Sequence, residues 1–276
     1  VKALLDDIRQ NFAPATQPML VAGLQRTMEF QDLAYGKEYL EHMRGIHALD
    51  KQYGGNNKNW ALTTAAARYV AVAMAYDDVI RVADLKTRAS RFDRVRDEVR
   101  AKPDQLVHTT EYMHPRLEEI CGTMPTFLGE RIENSDSLKR WLQPLFRKGR
   151  FLNSTSLTGF LMLYGMAGMR RFRRTTLRHK IEMQGFREWL NLITQTAPSD
   201  YDLAVEIVNC RRLVKGYSDT HARGQSKYQK LIRAAQSMNG QSNAAQRLLA
   251  LRNAALADEQ GSKLDALLEQ GDKALA

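Results

Sequence analysis

The sequence predicts an all-α protein. Three observations carry that expectation: apolar residues recur at the three- and four-residue spacing of a helix face, no convincing run of β-branched residues alternates with period two, and no long block repeats. With 276 residues, 43% of them hydrophobic, the chain is long enough to bury a core. The expected architecture is an irregular multi-helix bundle with one long central helical stretch and a loosely docked C-terminal helix.

Pro14 and Pro18 punctuate the start, after which Met19–Phe30 and Leu33–Ile46 read as two helices bent near Gln31. QYGGNNKN, residues 52–59, is a loop by its Gly and Asn content. Ala61–Val99 is Ala-rich and free of Gly and Pro, so it reads as one long helix or two nearly continuous ones, with Thr63 and Thr64 as caps. Pro103, Pro115 and Pro125 break the next segment into short pieces, and Pro144 with Gly149 marks another joint. Helical pattern returns from Thr155 to Thr196. Ala197-Pro198-Ser199-Asp200 then reads as a stop followed by a new N-cap, and Tyr201–Val214 and Gln225–Met238 follow as helices. From Asn239 the composition shifts to Gln, Asn, Ala and Leu, with leucines still at helical spacing through Ser242–Leu275. Residues 1–240 are thus expected as one helical domain, with a sub-boundary near 130–155, and residues 241–276 as a helical tail.

The longest apolar run, Leu157–Met169, has 13 residues where a bilayer span needs roughly 20. It reads as a buried core helix, with Gly159, Gly165 and Gly168 letting a neighbouring backbone come close. Cys121 and Cys210 lie far apart with no CxxC spacing, so neither a disulfide framework nor a cysteine-held cluster is supported. With no secretory pattern near Val1, the location expected is the cytoplasm, and the chain reads as a piece of something longer.

The net charge of +10 is concentrated: Ser137–Ile181 holds no Asp or Glu but eleven Lys and Arg, including Arg170, Arg171, Arg173 and Arg174. Several guanidinium groups together could bind a phosphate or another anion, and the interleaved Phe172 could stack on a planar ligand. The plainer reading is a solvated face, or a surface meeting an acidic partner. No helix-turn-helix, zinc-finger or RNA-binding signal argues for nucleic acid.

LVKGYSDTHARG, residues 213–224, is the densest polar segment, and Lys215, Tyr217, Asp219, His221 and Arg223 are its candidate partner- or anion-binding residues. Ser218, Asp219 and His221 are poorly placed for a nucleophilic triad, whose members are normally gathered from distant positions. A hydrogen-bonded helix joint, with Asp219 or Thr220 capping the next helix, is the favoured reading. Asp77 and Arg81, and Asp84 and Arg88, stand four apart and read as helix-face ion pairs. None of the six histidines has HExxH spacing, and both GxGxxG and the P-loop pattern are absent, so no metal, catalytic or nucleotide site is proposed within this chain.

Three blocks together carry a family pattern: LTTAAARYVAVAMAYDDVIRVADLKTRASRFDRVRDEV (62–99), EYMHPRLEEICGTMP (111–125) and DYDLAVEIVNCRRLVKGYSDTHARG (200–224). They resemble the C-terminal helical region of the long form of indolepyruvate oxidoreductase subunit beta, a 2-oxoacid:acceptor oxidoreductase. The resemblance implies a two-subunit enzyme that decarboxylates arylpyruvates to acyl-CoA, with thiamine diphosphate and iron–sulfur clusters held by the partner alpha subunit and none in this chain. It also implies a gamma-type α/β domain at the start of the full-length beta chain and supplies no established catalytic residue for these positions, while the shortness of the apolar run leaves no membrane partner expected. The region would be an accessory helical domain; the alternative is a free-standing basic module for nucleic acid or an acidic protein.

Overall fold

The computed structural model describes residues 1–113, 116–146, 149–216 and 218–273, and its described residues are mostly helical, as the sequence predicts. Two compact units form, one from residues 1–76 with 184–276 and the other from residues 77–183.

In the first unit, α1 (Lys2–Asn11), α2 (Gln17–Phe30), α3 (Leu33–Tyr53) and α4 (Ala61–Met74) are joined by α11 (Leu177–Thr196), of which residues 184–196 belong here, and by α12 (Tyr201–Cys210), α13 (Ser218–Met238), α14 (Ala244–Ala257) and α15 (Ser262–Lys273). Asp32 caps α3 by accepting from the Tyr35 amide at 2.8 Å, and Asp200 caps α12 by accepting from the Leu203 amide at 2.9 Å. Leu20, Leu62, Val70, Leu203, Ile207 and Leu248 are fully buried, so α2, α4, α12 and α14 share one core. The tail therefore docks through α14, where Arg252 also pairs with Glu206 at 2.9 Å.

Asp50, buried in α3, organises the start of α4. Its carboxylate accepts from the amides of Gly55 (3.2 Å) and Thr63 (2.7 Å) and from the Tyr201 hydroxyl (2.8 Å), which itself accepts from the Leu62 amide at 3.0 Å. The cap expected from Thr63 or Thr64 is thus supplied from another helix. Burial makes an unpaired carboxylate costly, and these donors offset that cost.

The long stretch from Ala61 divides into three helices, α4, α5 (Val79–Thr87) and α6 (Ala89–Glu98). No Gly or Pro makes the first break. At the end of α4 the Tyr35 hydroxyl donates to the Met74 carbonyl at 3.0 Å and Arg26 donates to the Ala75 carbonyl at 3.2 Å, satisfying carbonyls that a continuing helix would use. Asp78 then caps α5 by accepting from the Arg81 amide.

The second unit holds α5 and α6, then α7 (Leu117–Thr123), α8 (Thr126–Glu133), α9 (Asp136–Leu142) and α10 (Leu157–Gly168), followed by a 3₁₀ segment, Met169–Thr175. It also contains a two-stranded antiparallel pair that the sequence did not predict, β1 (Thr110–Met113) and β2 (Arg150–Asn153), with Tyr112 opposite Phe151. Four residues per strand are too few for a period-two pattern to stand out. Leu117, Cys121 and Ile132 form a small core in this unit, with Met124, Leu138, Leu142 and Phe146 packed against it.

Candidate functional site

Leu157–Met169 was expected inside a core, and the structure overturns that. Ser156 caps α10 through the Gly159 amide at 3.1 Å, and the helix packs on α5 by the face carrying buried Gly159 and Leu163. A Cβ on Gly159 would stand 2.0 Å from the Asn153 carbonyl oxygen, so the close backbone approach expected of the three glycines occurs there; a Cβ on Gly165 or Gly168 would meet nothing. The opposite face is apolar and open to solvent: Leu157 is 74% exposed, Leu161 56% and Tyr164 63%, at helical spacings of four and three. Met162 and Met169 are also exposed, and Phe172 continues the apolar run in the 3₁₀ segment at 60% exposure. A helix apolar on every side signals burial from its sequence alone. Nothing in residue spacing marks which side would be left uncovered.

The same contrast holds across the two units. Among the described residues, 16 of 22 exposed large apolar side chains lie within residues 77–183, which supply only seven of the 49 buried hydrophobic ones. They include Phe127, Trp141, and the cross-strand pair Tyr112 and Phe151, whose rings lie 5.1 Å apart. That unit carries 21 Lys and Arg against 14 Asp and Glu, so a net +7 of the chain's +10 sits on the smaller unit.

The basic candidates separate. Arg171 and Arg174 are exposed, and Arg170 is half-buried. The Arg171 guanidinium stands 5.7 Å from the centre of the Phe172 ring. Arg173 is a correction: it is 1% exposed and meets Asp78 through Nε–Oδ2 at 2.8 Å and Nη2–Oδ1 at 3.3 Å. Arg173 therefore belongs to the interior of its unit, tying the 3₁₀ segment to the N-terminus of α5, and leaves the proposed anion-binding face. Sequence reasoning missed this pair because 95 positions separate its members. The Asp84–Arg88 pair forms at 2.8 Å, and Arg81 adds a second bond to Asp84 at 3.1 Å.

The polar joint is shorter than expected, since α13 begins at Ser218 rather than near Gln225. Asp219 and Thr220 consequently lie inside its first turn and not at the cap position. Tyr217 lies outside the described residues, as do the side chains of Ser218 and Asp219. Lys215 is exposed beside Gly216, whose φ of +76° suits glycine. His221 is half-buried on α13, and Arg223 donates to Glu259 at 2.6 Å. A Cβ on Gly224 would stand 2.3 Å from the Leu213 carbonyl oxygen, so that glycine lets α13 cross the preceding turn closely. Upstream, Arg211 is buried with its guanidinium 5.5 Å from the Trp189 ring centre and 5.2 Å from that of Tyr228. Among the described residues of the segment, Leu213 and Gly224 are thus packed, Arg223 is paired, and Lys215 and Thr220 are exposed.

Two histidines lie on α3 of the first unit. His42 helps line an open, mostly apolar groove of about 340 Å³ between α3 and α11, with Ile46, Leu49 and Leu190. His47 stacks on Trp60 at 4.7 Å and lies 3.3 Å from the Thr63 hydroxyl. Burial holds both imidazoles below the ordinary histidine value, and pushes the fully buried Cys210 thiol up to about 12, so the thiol stays protonated. Among the described residues no three His, Cys, Asp or Glu gather where they could hold a metal ion, and no helix is long and apolar enough to cross a membrane.

A family model described as a family of unknown function, DUF6537, matches residues 16–234, and the chain belongs to that family. No curated protein and no solved structure matches it.

Proposed function

We propose that this member of the DUF6537 family is an accessory, non-catalytic helical part of an indolepyruvate-type oxidoreductase beta subunit. It works in the cytoplasm by docking on the alpha subunit that holds thiamine diphosphate and the iron–sulfur clusters, beside a gamma-type domain of its own full-length chain. The blocks at 62–99, 111–125 and 200–224 support the oxidoreductase assignment by resemblance. The observation that carries the docking role is the apolar surface of residues 77–183, where Leu157, Leu161, Tyr164, Phe151 and Trp141 are all more than half exposed. Soluble monomers rarely leave large apolar patches uncovered, and such patches mark interaction sites.

The rival reading, a free-standing basic module, draws on the carboxylate-free window at Ser137–Ile181. An apolar helix face favours a protein partner over a phosphate backbone, which would be tracked by cations and base-stacking aromatics.

Co-expression of the full-length beta chain with the alpha subunit tests the proposal. A stable complex is expected from the intact chain, and a deletion of these 276 residues is expected to lose it. Equal assembly with and without them would sink the docking role. Steep loss of retention on nucleic acid as salt rises, abolished by Ala at Arg170, Arg171 and Arg174, would establish the rival instead.

A further inference from the structure

Resting on that docking role, we infer that α10 is the docking element and that the alpha subunit receives it in an apolar cleft with an acidic rim. Leu157, Leu161, Tyr164 and Gly168 form one stripe, flanked by Met162 and Met169 and prolonged by Phe172. Taking about 200 Å² for a fully exposed large side chain, the six large residues offer roughly 700 Å², close to the ~800 Å² that each partner contributes to a standard interface. Gly165 and Gly168 have open space where a Cβ would stand, leaving a shallow notch between bulky apolar neighbours. A partner's side chains can fill such a notch, in the manner of a helix laid in a groove.

Charge selects the occupant. The window from Ser137 to Ile181 contains the whole stripe and lacks any carboxylate; Arg173, Arg178 and Lys180 are paired with Asp78, Glu182 and Glu130 from outside it, which still leaves an excess of cations, with Arg171 and Arg174 exposed at its end. A second copy packed face to face would bring two such windows together, and like charges across an interface oppose association. An acidic rim on a different protein instead complements the field and steers encounter. An anionic lipid surface would satisfy the charge too, but a fluid surface gains nothing from a notch of fixed shape.

Two variants of the full-length beta chain test this by titration against the purified alpha subunit. Leu161→Ser/Tyr164→Ser removes two exposed anchors and is expected to weaken binding at least about tenfold. Gly165→Leu fills the notch with a better helix former, so the helix persists while close approach is blocked, and a comparable loss is expected. Circular dichroism should match the parent for both, and a control pair at exposed Val21 and Leu33, each to Ser, should bind within about twofold. Parent-like binding by both α10 variants overturns the inference while leaving the docking role intact. Failure of the parent chain to bind the alpha subunit overturns both. Association with phosphatidylserine vesicles, or self-association in sedimentation, that the α10 variants abolish while binding to the alpha subunit persists assigns the face to lipid or to a second copy, and overturns it as well.

Discussion

Arg173 shows how far one side chain's meaning depends on its surroundings. In the sequence it is one of four arginines in five positions; in the structure it is the one of them that is desolvated, held by Asp78, while Arg171 two residues earlier is exposed. Arg173→Leu leaves Asp78 as a buried carboxylate without its cation and is expected to cost about 3–5 kcal/mol in urea unfolding. Adding Asp78→Asn, which keeps an N-cap, should recover a substantial part, whereas Arg171→Ala should stay within about 0.5 kcal/mol. A loss for Arg173→Leu no larger than that for Arg171→Ala would show that the pair is not desolvated. Titration gives a second residue-scale prediction. His42 and His47 are held below 6.5 by burial, so below that value the unfolded chain binds protons that the folded chain does not. Their contribution to stability is present above pH 6.5 and is lost as pH falls through the depressed values. Unfolding midpoints between pH 7 and 5 should therefore drop more steeply for the parent than for His42→Gln/His47→Gln. The raised Glu133 pKa acts with the opposite sign, and this difference cancels it.

At the scale of elements, α10 has one face that holds the unit together and one that does not. Leu163→Ala, at a fully buried position, should cost about 2–5 kcal/mol, while Leu161→Ser should change the melting temperature little. Gly165→Ala, with nothing near the added methyl, should stabilise by up to about 1 kcal/mol, and Gly224→Ala should destabilise because its Cβ would collide with the Leu213 carbonyl. Thermal denaturation of the four variants checks the order, and a reversed sign at Gly165 would mean that the α10 face is already covered. These outcomes separate what spacing reveals from what it hides. The helices α2, α3 and α12 were legible because their apolar stripes and the stop at Ala197–Asp200 are local signals. The break after Met74 was not, because Tyr35 and Arg26 make it from other helices. For α10 the helix was legible and its exposure was not, since a uniformly apolar sequence carries no direction.

For the whole molecule, burial is lopsided. Residues 1–76 and 184–276 hold nearly all the buried apolar side chains among the described residues, so amide exchange should be slowest in α4 and α12 and faster through α5–α10. Equal protection in the two units would contradict that division of the core. The sequence by itself determined the all-α class, the position of most helices and the concentration of positive charge, because periodicity, caps and composition act over a few residues. Tertiary structure alone decided that Arg173 is buried, that the stretch from Ala61 breaks at Ala75, that Arg223 pairs with Glu259 while Lys215 is exposed, and that the most apolar helix has an open face. Each of those depends on partners tens of positions away, and hydrogen bonding, ion pairing and burial are set by neighbours in space.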